Sequence, residues 1–330
     1  MRRTALALLA CLSALGANSR AAEPAKIELM LLKTVTVTEE QFLLGSKEGR
    51  PVSVAMELRL PTAGTTRLPA MILLHGSAGI SAASDGWARE LNDLGIATLL
   101  VDSFTERGVS NTVADQSQLS ELAMIIDAYR ALEVLAKHPR IDPTRIGLLG
   151  NSRGAFATLY ASMKRFHRMY APTEAQFAVY LSFYPPCART YIDETDVVDR
   201  PIRLFNGTAD DIAPLAQCLS HVKRLQAAGK DVQLTEYAGA YHGFDNRLTP
   251  VRPAGPPTTR RGCDVYEQSV GHILNRDTGQ PPTSNDECLK GAGAGGYDAR
   301  AHAKAIADVT ALLQRLFKLD PVRQVLDVSR

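Results

Sequence analysis

The order of apolar and polar positions divides the chain into alternating strands and helices. Two early segments, residues 26–38 and 51–60, alternate apolar with polar side chains, as in Val52, Val54, Met56, Leu58 and Leu60. A period of two marks half-buried strands, here an antiparallel edge pair that turns at residues 45–49. Residues 68–74 and 96–101 are unbroken apolar runs instead, the pattern of strands covered on both faces. A short helix over 85–94 stops at Gly95 between them. Over residues 119–137, Leu122, Ile125, Ile126, Tyr129, Leu132 and Leu135 recur at helical spacing and predict a long amphipathic helix. Further on, the spacing predicts strands at 176–184, 201–205 and 232–237, a helix at 215–228 and a closing helix at 298–317. Such alternation predicts an α/β fold, with a mostly parallel central sheet flanked by helices on both faces.

Residues 246–296 interrupt this pattern. They are rich in Pro and Gly, show little periodicity and carry two cysteines. A loop of that length inside a compact domain is expected to be functional, or tied down by a bond such as Cys263–Cys288. Covering a site and being a plain surface insertion fit it equally well.

Composition narrows the class without naming a function. The chain has 330 residues, 45% hydrophobic and 22% charged, with a formal charge of +2. It is long enough to bury a large core without metals or disulfides. No basic patch or charged tail stands out, so nucleic acid is not an expected partner. The first residues change the picture more. Arg2 and Arg3 precede an apolar stretch, and small residues follow near Ala21 and Ala22, which is the layout of a secretory signal peptide over residues 1–21. The apolar run is too short for a permanent anchor. Residues 22–330 are then expected to form one exported domain, periplasmic or secreted, with the insertion at 246–296. Four cysteines remain in it: Cys187, Cys218, Cys263 and Cys288. An even number in an exported chain points to disulfides, and four cysteines allow three pairings.

The chemistry centres on residues 145–160. The apolar Ile146, Leu148 and Leu149 lead into Gly150-Asn151-Ser152-Arg153-Gly154, and a helix-compatible segment follows. G-x-S-x-G between a strand and a helix is a nucleophile elbow, in which the serine stands on a strained, tight turn. The two glycines let strand and helix pass closely. The five-residue pattern also arises by chance, so its weight comes from the strand and helix around it.

A serine hydroxyl is a weak nucleophile unless a base takes its proton and a third group orients the base. Serine, acid, histidine is the chain order of α/β-hydrolases. In that order, the strand at 201–205 runs into Asp210 and Asp211, at the sheet edge where open α/β sheets bind ligands. The adjacent pair is not resolved by periodicity, and one of the two is expected to cap the next helix. The last strand leads to His242, while the other six histidines lie on helices or away from strand ends, or belong to His75-Gly76-Ser77-Ala78-Gly79. That glycine-containing loop follows a buried strand. It is placed to donate the Ser77 N–H to an oxyanion, beside the Arg153 N–H.

Six stretches together resemble the dienelactone hydrolase family of the α/β-hydrolase superfamily. They are H-G-S-A-G from His75, V-D-S-F-T-E-R-G from Val101, G-N-S-R-G from Gly150, F-Y-P-P-C from Phe183, N-G-T-A-D-D-I-A-P from Asn206 and Y-A-G-A-Y-H-G-F-D from Tyr237. They span roughly residues 70–245, and the closing helix also fits. The resemblance implies the α/β-hydrolase fold. Its G-x-x-D-x-x-x-P pattern, four residues from acid to proline, selects Asp210 ahead of Pro214. It also implies pairing Cys187 with Cys218, since related sequences carry cysteines at both places. One departure matters: the namesakes use a cysteine nucleophile where this chain has Ser152. Their substrate-carboxylate residues have no match here, and none is carried across.

The sequence therefore predicts a hydrolase that cleaves a small-molecule carboxylic ester or lactone through Ser152, Asp210 and His242. Ser77 and Arg153 form the oxyanion hole, and no metal or organic cofactor is called for. The same machinery acting on an amide, and a hydrolase fold kept only for binding, are the alternatives. About 16 residues separate Tyr184 from Pro201, too few for a large helical cap, so the site is expected to be open apart from the insertion.

Overall fold

The computed structural model describes residues 24–250, 263–283, 286–289 and 293–319. The expected leader at 1–21, with its apolar run, lies outside them. β1 (Lys26–Thr36) passes through a short helix, α1 (Glu39–Leu43), into β2 (Arg50–Leu60). α1 lies in the connection between the two strands, just before the expected turn at 45–49. It forms there because Thr38 and Gln41 close a capping box at its start and Phe42 and Leu43 anchor it in the core. β1 and β2 pair antiparallel from Lys26–Leu60 to Thr36–Arg50. The central strands follow the apolar runs. β3 (Leu68–Leu74) leads to α2 (Ala82–Asp93) and β4 (Ala97–Asp102), and α3 (Glu121–Lys137) to β5 (Ile141–Asn151).

Two helices follow β5, α4 (Arg153–Tyr160) and α5 (Lys164–Tyr170). The chain continues through β6 (Tyr180–Phe183), the short β7 (Arg189–Thr190), β8 (Ile202–Gly207), α6 (Leu215–Ala227) and β9 (Val232–Tyr237). β10 (Val265–Ser269), β11 (His272–Asn275) and α7 (Ala299–Phe317) complete it. The main sheet has eight strands in the order β1-β2-β4-β3-β5-β6-β8-β9. β2 and β4 pair antiparallel, and from β4 onward every neighbour is parallel. This is the α/β-hydrolase fold.

Alternation along the strands builds two core layers. Ile72 and Leu74 of β3 face the layer of α3 and α4, whereas Met71 and Leu73 face the layer of α2 and α7. All seven residues of β3 are buried, which is why its sequence reads as a continuous apolar run rather than an alternating one.

The insertion departs from the expected loop. β10 and β11 form an antiparallel hairpin, and β10 adds to β7 in a second, three-stranded sheet. Its periodicity is hard to see in the sequence because the hairpin's chief anchor is a charge. Glu267 points inward and receives both guanidinium nitrogens of Arg165, at 2.6 and 2.9 Å, and the Ile192 N–H at 3.0 Å. Two disulfides are present. Cys187–Cys218 joins the segment after β6 to α6, and Cys263–Cys288 closes the insertion on itself.

A buried polar knot ties the β1 edge of the sheet to α3. The Asp127 carboxyl on α3 accepts hydrogen bonds from Thr34 (2.7 Å), Ser103 (2.8 Å) and two nitrogens of Arg107 (2.8 and 2.9 Å). Arg107 also donates to Val35 O and Ser103 O, so it ties β1 and the end of β4 to α3. Removing one partner of such a pair strands the other's charge in the core. Asp127→Ala is therefore expected to destabilise the fold by about 3–5 kcal/mol. The pair of substitutions Asp127→Ala and Arg107→Met should recover much of that loss. Urea unfolding of the three proteins measures both, and a loss under about 1 kcal/mol for the single variant would refute the assignment.

Candidate active site

The elbow joins β5 to α4. Ser152 sits between them with φ 52° and ψ −111°, a backbone conformation that side-chain-bearing residues rarely adopt. The flanking glycines are required by space. A Cβ on Gly150 would lie 2.2 Å from the carbonyl of Gly154, and one on Gly154 would lie 2.2 Å from Leu74 O. The second figure places the start of α4 directly against the end of β3. The next loop is just as near, since a Cβ on Gly76 would lie 3.3 Å from Asn151 O.

Three predicted residues meet at this turn. Ser152 Oγ lies 2.8 Å from His242 Nε2, and His242 Nδ1 lies 2.9 Å from Asp210 Oδ2. A carboxylate only accepts, so Nδ1 carries the proton and Nε2 accepts from the serine hydroxyl. The Asp210 side chain is fully buried. Its other oxygen accepts from the N–H groups of Ile212 (3.0 Å) and Ala213 (2.8 Å), which fixes the carboxyl plane. Asp211 turns away and accepts from Ala294 N at 2.8 Å. Neither aspartate caps α6, contrary to expectation. Pro214 occupies the cap position, because the chain needs the intervening turn to bring Asp210 under His242.

Ser77 and Arg153 also come together, through a residue the sequence did not single out. Gln116 Oε1 accepts from Ser77 Oγ at 3.2 Å and from Arg153 Nη1 at 2.8 Å. The Arg153 side chain is fully buried, and Nη2 donates to Leu119 O. The Ser77 carbonyl is engaged by Thr112 N at 2.7 Å. His75 pins the same loop. Ser103 N–H donates to its Nε2 at 3.1 Å, so Nδ1 carries the proton and donates to Gly76 O at 2.8 Å. Burial pushes the His75 pKa down, which keeps the ring neutral and this arrangement intact.

Behind the site lies a second carboxyl, Asp245, three residues past His242. It accepts from Tyr184 OH (2.5 Å), Asn151 Nδ2 (2.8 Å) and Trp87 Nε1 (2.7 Å). Burial, with Asp245 close by, pushes the Tyr184 pKa well up and holds the phenol as a donor. The Tyr184 ring stands edge-on to the His242 ring at 4.6 Å. One buried carboxyl thus joins the elbow, the end of β6, α2 and the histidine loop. Asn151 and Asp245 lie inside the elbow and histidine motifs, but nothing in their spacing reveals the partnership.

The far end of the insertion touches the site. Gly295 bridges to His242, Gly296 N donates to His242 O at 3.0 Å, and Asp298 N to Phe244 O at 3.0 Å. Among the described residues, the one cluster with metal-ligand atoms close together is Cys263, Asp286 and Cys288. Its two sulfurs are joined in a disulfide, and the thiolate is the form that binds metal.

Comparison with known proteins places the chain in context. Two uncharacterized proteins from strains of Mycobacterium tuberculosis are each 28% identical over 157 residues, 44% of this chain and 54% of theirs. The chain therefore spans about half the length of the curated relatives it matches. Among solved structures, esterase 2 of Thermogutta terrifontis phosphorylated by paraoxon superposes with a TM-score of 0.56 at 16% identity, covering 91% of this chain and 97% of that one. A dienelactone hydrolase-like promiscuous phosphotriesterase from metagenomic libraries gives 0.55 at 15% identity, covering 88% and 98%. Both likenesses show the fold. The sequence profile of the dienelactone hydrolase family matches residues 56–317, from β2 through the last turn of α7. With most of its length matched, the chain belongs to the dienelactone hydrolase family.

Proposed function

We propose that the protein is a serine hydrolase that cleaves a carboxylic ester or lactone through an acyl-enzyme. The observation that carries this reading is the hydrogen-bonded line from Ser152 through His242 to Asp210, set on a strained elbow. In this reading His242 Nε2 takes the serine proton as Oγ attacks the carbonyl carbon, and the C=O π electrons move onto its oxygen. The N–H groups of Ser77 and Arg153 stabilise that oxyanion, aided by the positive end of α4. As the intermediate collapses, His242 returns the proton to the leaving alkoxide. A water molecule, deprotonated by the same nitrogen, then releases the acid and restores the serine. Asp210 holds the imidazole in the working tautomer and stabilises its charged form.

Family membership supports a hydrolase. The structural neighbours add a chemical hint. The Thermogutta esterase was solved phosphorylated by paraoxon and phosphoramylated by tabun, and the same electrophiles are expected to react with Ser152 here. Two disulfides are the sort of bond that persists in an oxidising compartment, which supports reading residues 1–21 as an export signal.

A fluorophosphonate probe should label the wild-type protein at Ser152 and leave Ser152→Ala unlabelled. Ser152→Ala and His242→Ala should each lower kcat on aryl esters by about 10⁴-fold. A folded wild-type protein that neither labels nor turns over any ester would sink the reading. Asp210→Asn should cost far more rate than Asp211→Asn, because only the first loses the acceptor facing Nδ1; equal losses would overturn the choice of acid. Mass spectrometry of the mature protein should find its N-terminus within a residue or two of Ala22, and an intact Met1 on exported material would contradict the signal assignment.

A further inference from the structure

A cavity of about 760 Å³ lies beside the elbow, within the size range of small-molecule sites. Gln116, Phe156 and Pro186 line it, and each neighbours residues of the site. Gln116 bonds both Ser77 and Arg153, Phe156 N donates to Ser152 O at 2.9 Å, and Pro186 follows two residues after Tyr184, whose ring meets His242. The opposite walls come from parts of the chain outside the catalytic loops. Val37 and Glu39 enter from the β1–α1 connection, and Cys263, Val265 and Pro282 from the insertion. The insertion wall is fixed by the pairing of β10 with β7, the Val265 N–H bond to Ala188 O at 2.9 Å and the Cys263–Cys288 disulfide.

The charges on these walls are largely matched to one another. Glu39 pairs with Arg189 and Glu121 lies 3.7 Å from Arg153, while Asp115 is exposed to solvent. Arg50 is exposed, where water and salt screen its charge. Between them, uncharged polar side chains such as Gln116 and Ser117 share the lining with a larger apolar surface to which Val37, Leu122, Phe156, Pro186 and Val265 contribute.

Building on the hydrolase reading, we infer that this cavity is a substrate subsite that takes a large, uncharged, mainly apolar group of the ester. The insertion is one of its walls. The enzyme is then selective for bulky neutral esters over small ones, and over esters bearing a second carboxylate.

Two ester series test this, one lengthening the acyl group from 4-nitrophenyl acetate to octanoate and one enlarging the alcohol from ethyl to 1-naphthyl acetate. In one series kcat/KM should rise by about tenfold or more from the small to the large ester. Ser117→Trp and Pro282→Trp place an indole at exposed positions on two walls and should collapse that ratio toward one. Fluorophosphonate labelling checks that each variant is folded. Binding of the neutral fluorophore N-phenyl-1-naphthylamine gives a readout that needs no turnover: wild type should bind it, and both variants should bind it at least about tenfold more weakly. A flat profile in both series, an unchanged ratio in both variants, or equal dye binding by all three proteins would overturn the subsite. Failure of labelling and of all ester turnover would instead sink the hydrolase reading, with dye binding still reporting on the cavity.

Discussion

Ser152 stands where it does because the start of α4 passes β3 and β5 at backbone-contact distance. Gly150 and Gly154 have no room for a side chain, and the atoms that exclude it are backbone atoms of Gly154, Leu74 and His75, which cannot rotate away. This close passage leaves the serine at a positive φ and turns its hydroxyl toward the loops at the carboxyl ends of the strands. It also brings the loop after β3 against the elbow, so the position of Ser77 relative to Ser152 follows from the same contact. The sheet order completes the arrangement. β8 and β9 are adjacent, and the loops leaving them deliver Asp210 and His242 side by side.

A strained turn persists only where its surroundings over-determine it. Here buried polar groups do so. Asp245 gathers donors from α2, the residue after β6 and the elbow onto the histidine loop, and His75 locks the loop after β3 to Ser103. Farther out, Asp127 with Arg107 and Glu267 with Arg165 act in the same way on the sheet edge and the insertion. Burying a carboxyl is unfavourable unless its lone pairs find donors, and each of these carboxyls has at least three. Their contribution is to fix one arrangement of loops. The apolar layers on either side of the sheet supply the driving force.

The insertion ties these features to the candidate site from outside. Its hairpin leans on β7, its disulfide closes it, and its last residues hydrogen-bond the backbone of the histidine loop. It therefore stands both as a wall of the cavity and as a brace for His242. Cys187–Cys218 has a similar place on the neighbouring side, joining the segment that carries Pro186 to α6.

The sequence alone determined whatever depends on local order. Fully buried strands read as apolar runs, α3 and α7 as helical stripes, and Gly150-Asn151-Ser152-Arg153-Gly154 as a turn whose glycines have a steric reason. It also set the order of serine, acid and histidine. It left Asp210 and Asp211 unresolved until the family pattern was applied, because adjacent residues at one loop differ only in where the loop bends. It did not show the hairpin in the insertion, whose anchor is the charge of Glu267, or the short helix α1 ahead of the turn at 45–49. Nor did it show Gln116, Tyr184, Trp87 and Asp245 around the site, since their partners lie 37 to 158 positions away. Contacts between residues so distant in sequence leave no periodic trace along the chain. Tertiary structure alone brings them together.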